Sequence, residues 1–183
     1  MKKSIKWILI LLAVLVLGLF GAMRYMKSQT KKHSPETTVE FKNDGLELSV
    51  FYNRPSKKGR NIFGGLVPYG QIWRTGANEA TTFETNKDIN INGQKLAAGK
   101  YSVFTIPNED SWDIIFNTKM YSWGVKIGNK PIVEREHDAL VVNVQTGSTD
   151  SVVEQFTISF ADAPETAMVL EWDRTKIVVP ISQ

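Results

Sequence analysis

Apolar and polar residues alternate along most of the chain after residue 36. Leu46, Leu48 and Val50 alternate with Glu47 and Ser49. Similar runs, rich in β-branched and aromatic residues, recur to the end of the chain: Asp88–Asn92, Lys100–Ile106, Trp112–Asn117, Ala139–Gln145, Val152–Phe160, Ala167–Trp172 and Lys176–Ile181. A period of two residues is typical of half-buried β-strands, so each run predicts a strand.

Turn-forming residues separate the predicted strands. They are Asn92-Gly93, Ala98-Gly99, Pro107–Asp110 and Gly147–Asp150. Such residues favour tight turns and irregular backbone between strands. The pattern therefore predicts an all-β fold, an antiparallel β-sandwich or jelly-roll of about 8–10 short strands.

The N-terminus has a different pattern. The uncharged apolar run WILILLAVLVLGLFGAM occupies Trp7–Met23 between basic flanks. As a helix it would span roughly 26 Å, close to the hydrocarbon core of about 30 Å. We interpret residues 1–27 as an N-terminal signal anchor with its membrane helix at 7–23, and a cleaved signal peptide is the alternative. Residues 28–36 predict a polar tether, and residues 37–183 predict the β-sandwich domain.

Charge and cysteine content exclude several classes of protein. Residues 1–27 carry five of the 22 Lys and Arg residues and none of the 19 Asp and Glu residues. The rest of the chain is therefore slightly acidic, and the basic pI belongs mostly to the membrane flanks. We expect no nucleic-acid partner and a membrane partner through the N-terminal helix. The chain has no cysteine, so it forms no disulfide.

One irregular segment between predicted strands concentrates basic and apolar residues. Residues 53–81, NRPSKKGRNIFGGLVPYGQIWRTGANEAT, contain five Lys or Arg residues and one acid, Glu79. Arginine forks beside glycine-rich backbone are suited to bind carboxylate or phosphate. We therefore predict a ligand site in the basic loop 54–79, with these candidate residues: Arg54, Arg60, Trp73, Arg74, Asn78 and Glu79. The alternative is a structural corner in which Arg74 pairs with Glu79 and apolar side chains fix the loop to the sandwich.

Other catalytic or metal-binding chemistry is sparse. The two histidines are His33, in the tether, and His137, in a charged cluster at 134–138. We expect no metal, no cofactor and, on balance, no enzyme. A hydrolase would need a second carboxylate near Glu79, for which the sequence offers Glu134, Glu136, Asp138 and Asp173.

Three stretches of the chain resemble a bacterial family catalogued as domain of unknown function 2911. They are Arg54–Thr81, Ile91–Pro107 and Trp112–Asn117, and a more diffuse likeness covers nearly all of residues 37–183. The resemblance implies an N-terminal export signal. It therefore implies a single-pass protein of the bacterial inner membrane whose C-terminal domain lies in the periplasm or outside the cell. The family has no established activity, so the resemblance implies no catalytic residues.

These observations leave three functional hypotheses. The first is an envelope module that binds an anionic or glycan ligand through the basic loop 54–79. The second is a structural or assembly module of the envelope without a small ligand. The third is a carboxylate-based hydrolase that uses Glu79.

Overall fold

The computed structural model describes residues 2–125 and 132–183, which divide into two compact units at residues 1–33 and 34–183. The first unit is a single helix, α1, at Lys2–His33. It is long and apolar enough to cross a membrane, with a mean hydropathy of 2.5 in its most apolar 18-residue window.

Helix α1 runs through most of the segment predicted as a tether, residues 28–36. The apolar run has already nucleated the helix, and the lysines that follow it are good helix formers. Lys31, Lys32 and His33 occupy its last turn, where positive charge complements the helix dipole. Pro35 disfavours helical backbone at Ser34, and the first strand begins at Glu36.

The described part of the second unit contains nine antiparallel strands. In chain order they are β1 Glu36–Asn43, β2 Leu46–Asn53, β3 Thr81–Thr85, β4 Ile89–Ile91, β5 Gln94–Leu96, β6 Gly99–Pro107, β7 Ser111–Asn117, β8 Asp138–Ala161 and β9 Ala167–Ser182. They form one sheet in the order β1-β2-β3-β6-β7-β8-β9-β4-β5. The predicted all-β antiparallel fold with one N-terminal helix is thus confirmed.

Strands β8 and β9 are longer than the sequence pattern predicts. The first part of β8 pairs with β7, and its second part pairs with β9. The pairing of β8 with β9 shifts register on both sides of Val153. The turn-forming residues at 147–150 therefore do not end a strand. They lie at and within the first of these register shifts, an irregularity of the kind that lets one long strand change direction.

The second half of β8 packs against β2, so the sheet folds over a shared core. The Tyr52 hydroxyl accepts a hydrogen bond from the Ile158 N–H (2.8 Å) and donates one to the Ile158 carbonyl (3.1 Å). The rings of Tyr52 and Phe156 meet edge to face with centroids 5.7 Å apart. Burial raises the pKa of Tyr52, which favours the protonated hydroxyl that this contact needs. Core side chains between the layers include Val50, Phe83, Ile114, Val142 and Val179, all fully buried.

Two connections lie over this framework and contain the candidate residues. Residues 54–80 join β2 to β3, and residues 118–137 join β7 to β8, with 126–131 outside the described range. The first connection forms single bridges to β8 at Ser56–Gln155 and to β6 at Trp73–Thr105. Loop 54–80 is therefore attached to the sheet at two points.

Candidate functional site

Trp73 anchors loop 54–80 to the core. Its backbone N–H donates to the Thr105 carbonyl (2.7 Å), and the Thr105 N–H donates back to the Trp73 carbonyl (2.9 Å). Its half-buried ring stacks on Trp172 at 5.9 Å and meets Phe156 at 5.1 Å, both measured between ring centroids. Phe63 of the same loop lies 4.8 Å from the Trp112 ring. These contacts explain Trp73 and Phe63 as residues that pack the loop against the core.

Arg54 connects the end of β2 to β8. Its Nε donates to the Phe156 carbonyl (3.3 Å), and its Nη2 donates to the Thr157 hydroxyl (2.9 Å). The side-chain amide of Gln155 donates to the Arg54 carbonyl (3.1 Å). The guanidinium is thus engaged with the fold.

Arg60 and Lys57 close the basic part of the same loop. The Arg60 guanidinium donates to the carbonyls of Lys57 and Ser56. The Lys57 ammonium forms an ion pair with Asp173 on β9, in which both side chains are largely buried. Because both cations already have oxygen partners within the fold, neither needs a ligand to satisfy it.

Asn78 and Glu79 belong to a buried amide–carboxylate network. Asn53, which is fully buried, donates from Nδ2 to the Glu79 carboxylate (3.2 Å). Asn78 donates from Nδ2 to the Asn53 side-chain oxygen (3.4 Å) and to the Ser34 carbonyl (3.3 Å). The network fixes the position of the Glu79 carboxylate through a buried donor.

The turn before this network requires unusual backbone. Thr75 and Asn78 have positive φ values of 56° and 54°, and Gly76 has a φ of 145°. Asparagine tolerates the left-handed region better than most residues, whereas the conformation at Gly76 strongly favours glycine. A Cβ on Gly76 would lie 2.9 Å from the Asn53 carbonyl oxygen. The T-G-A-N-E string is therefore a tightly packed corner.

Arg74 differs from the other basic residues of the loop. Its side chain is half buried, and Gly124 packs so closely that a Cβ there would lie 2.6 Å from the Arg74 Cβ. Burial lowers the pKa of Arg74 from its ordinary value. Within residues 2–125 and 132–183, its guanidinium makes no hydrogen bond and no ion pair, so the pair with Glu79 considered from the sequence does not form. Residues 126–131, KIGNKP, contain no acidic side chain.

A groove of about 410 Å³ lies on the sheet face formed by β1, β2, β3 and β6. Its lining residues are mostly hydroxyl, carboxylate and aromatic side chains: Thr38, Ser49, Phe51, Glu79, Ala80, Thr82, Glu84, Lys100, Tyr121 and Ser122. Cross-strand register places Phe51 opposite Thr82, and Glu84 opposite Lys100. Of the six residues predicted as a site, Glu79 lines this groove.

Sequence reasoning did not find Phe51, Glu84 and Lys100. Alternation in β2 places Phe51 on the face opposite Val50, and alternation in β3 places Glu84 on the face opposite Phe83. Only the register between strands brings the three together, and register depends on pairing partners that are distant in sequence.

The other carboxylates considered for a hydrolase lie elsewhere. Glu134 pairs with Lys119 (2.6 Å), Asp138 pairs with Arg135, and Asp173 pairs with Lys57. None of these acids, nor Glu136, lines the groove with Glu79. The two-carboxylate arrangement suggested for hydrolysis therefore gains no support from their positions.

One side-chain cluster in the described part of the chain has ligand atoms spaced for a metal ion. Glu134, Glu136 and His137 each offer one atom, and these atoms lie within 4.8 Å of one another. Glu134 already accepts a hydrogen bond from the Lys119 ammonium, which raises the pKa of Lys119. The negative charge of Glu134 is therefore already at least partly compensated by Lys119.

The fold and candidate site define an apolar N-terminal helix followed by an all-β domain with a basic, aromatic-anchored loop. More specifically, the chain belongs to the family described as Protein of unknown function (DUF2911), whose sequence model matches residues 34–181. The match begins just after α1 and covers all nine strands except the last residue of β9. No curated protein and no solved structure matches the chain.

Proposed function

We propose that the protein is a membrane-anchored module of the bacterial envelope that binds an anionic group at Arg74. The observation that supports this proposal is the half-buried Arg74 guanidinium, which has no hydrogen-bond or ion-pair partner in the described ranges. A charge removed from water is normally paired, because desolvation without a partner costs free energy. A carboxylate, sulfate or phosphate group from a ligand would supply that partner in a bidentate geometry.

The surroundings of Arg74 favour strong binding of such a group. Partial burial lowers the effective dielectric constant, so attraction to an anion is stronger than at an exposed arginine. Gly124 packs against the aliphatic part of the side chain and Trp73 holds the adjacent backbone, so little conformational freedom is lost on binding.

A sulfate titration of the full chain tests the proposal. In amine-oxide detergent, which has neither a sugar nor a phosphate headgroup, sulfate at ten times its Kd should stabilise the domain by about 1.4 kcal/mol. That corresponds to a rise in Tm of about 3–6 °C for a domain of this size. Arg74→Met should abolish this rise and melt at or above the wild type without sulfate, because it removes an unpaired, desolvated charge.

Arg60→Met is the matched control. Arg60 lies in the same basic loop, but its guanidinium already donates to loop carbonyls. Sulfate also stabilises proteins generally by exclusion from their surfaces, so the difference between variants is decisive. Equal sulfate responses in the wild type, Arg74→Met and Arg60→Met would contradict the proposal.

The proposed location has its own test. Helix α1 fits a membrane span, and the family resemblance implies export. With the protein expressed in a Gram-negative host, alkaline phosphatase fused after Gln183 should be active, and green fluorescent protein fused there should be dark. A bright fluorescent fusion with inactive phosphatase would place the domain in the cytoplasm and contradict this location.

A structural or assembly module is the second candidate function. Several candidate site residues make contacts within the fold, as expected if their role is structural: Arg54, Asn78 and Trp73. It predicts no specific effect of anions on Tm, and the sulfate titration therefore separates the two candidates.

A further inference from the structure

We propose that the groove on the β1-β2-β3-β6 face binds a neutral saccharide, at a site independent of Arg74. Its volume of about 410 Å³ lies within the range of small-molecule sites. The groove combines hydroxyl side chains, two carboxylates and two aromatic rings. A sugar ring presents hydroxyl groups around its edge and C–H groups on its faces, and both surfaces find partners in this lining.

The two carboxylates differ in how firmly the fold holds them. Glu79 accepts from the buried Asn53 amide, which is itself held by Asn78. Glu84 lies opposite Lys100 on the neighbouring strand, and their charged groups are 3.1 Å apart. The Glu84 side chain is about half exposed, so its carboxylate keeps lone pairs beyond those used by Lys100, and ionised acceptors form strong hydrogen bonds with hydroxyl donors. The fixed position of Glu79 reduces the entropic cost of ordering the site.

The aromatic side chains supply an apolar surface in the same groove. The Tyr121 hydroxyl accepts from the Glu134 N–H (2.9 Å) and contacts the Asn117 side-chain oxygen (3.4 Å). The hydroxyl is therefore occupied. The ring packs against Phe104 with centroids 5.6 Å apart and lies 6.0 Å from the Lys119 ammonium, and the part of Tyr121 that these contacts leave uncovered lines the groove. Phe51 adds a second ring from β2.

The charges of the groove are largely paired within the protein. Glu84 pairs with Lys100 on the neighbouring strand, and Glu79 accepts from the buried Asn53 amide. The lining therefore gives no strong net attraction to a charged ligand. An uncharged ligand with many hydroxyl groups needs no such attraction, and the serine and threonine hydroxyls can both donate to it and accept from it.

Saturation-transfer NMR on the full chain in amine-oxide detergent tests the site. The probes are three neutral trisaccharides, maltotriose, cellotriose and N-acetylated chitotriose, each at about 10 mM, which exceeds a millimolar Kd. At least one should receive saturation from the wild type. Phe51→Ala and Glu84→Gln should each weaken its binding by about tenfold, the loss expected for one charge-assisted hydrogen bond or one stacking contact.

The chain provides a matched control for Glu84→Gln. Glu47 forms the same kind of exposed cross-strand pair with Lys42 (3.2 Å) but does not line the groove. Glu47→Gln should leave saccharide binding unchanged, as should Arg74→Met. Absence of transfer to all three probes would overturn the proposal, and so would equal binding by the wild type, Phe51→Ala and Glu84→Gln. Loss of binding in Arg74→Met would overturn the independence of the two sites.

Discussion

Trp73→Ala is expected to lower the Tm by about 6–12 °C. Truncating a tryptophan in a packed cluster costs about 3–5 kcal/mol, and the lower value applies because Trp73 is half buried. For a domain of this size, each kcal/mol changes Tm by about 2–4 °C. The affected contacts are those with Trp172 and Phe156, which join the loop to β8 and β9.

Thermal melts followed by near-UV circular dichroism measure this effect. Tyr69→Ala is the control, because Tyr69 belongs to the same loop but is 39% exposed. It should cost about 1 kcal/mol or less, since surface truncations usually have small effects. If Trp73→Ala had the same Tm as the wild type, Trp73 would not anchor the loop. Ligand contact would then again be a candidate role for its side chain.

Asn53→Asp is expected to destabilise the domain by about 3–5 kcal/mol at neutral pH, a fall in Tm of about 6–20 °C. The substitution changes almost no volume. It replaces a buried donor to Glu79 with a second carboxylate at hydrogen-bond distance. The Asn78 amide would still donate to the new carboxylate, but one neutral donor does not offset both the repulsion from Glu79 and the burial of the charge.

The stability of the Asn53→Asp variant should depend strongly on pH. Two carboxylates that share a buried site have one pKa raised above its value in the unfolded chain. Protonation then favours the folded state, so stability is retained at low pH and lost as pH rises through the raised pKa. The Tm difference from the wild type should therefore be smaller at pH 5 than at pH 8.

Asn143→Asp is the matched control for this prediction. Asn143 donates to the Asp113 carboxylate (2.7 Å), but the pair is exposed to solvent. Exposed like charges interact weakly in water, so the expected cost is about 1 kcal/mol or less. Equal losses for Asn53→Asp and Asn143→Asp would show that burial of the Asn53–Glu79 network has no special importance.

The strand pattern could be predicted because its period is local. Alternation in β2 and β7 follows from one buried face, and the sequence shows it directly. Strand β3, with the sequence TTFET, was missed because its threonines continue an irregular segment and only Phe83 marks its apolar centre. Gly147 favoured a turn by local preference, but in the structure it lies within β8 and pairs with Lys176 of β9, so strand pairing overrides that preference.

The candidate site was less accessible to sequence reasoning. Arg74 and Glu79 are close in sequence and opposite in charge, so an ion pair was a reasonable hypothesis. The positive φ values at Thr75, Gly76 and Asn78 turn the backbone between them. Glu79 consequently accepts from Asn53, a residue in a strand that the local pattern does not connect with it.

A selenate soak of protein crystals tests the anion site most directly. Selenate has the shape and charge of sulfate, and its anomalous scattering identifies its position without ambiguity. The account predicts a selenium peak with oxygens at hydrogen-bond distance, about 2.7–3.2 Å, from the Arg74 guanidinium. The account would be contradicted if a protein carboxylate or carbonyl accepted hydrogen bonds from that guanidinium and selenate was absent or bound only at exposed lysines.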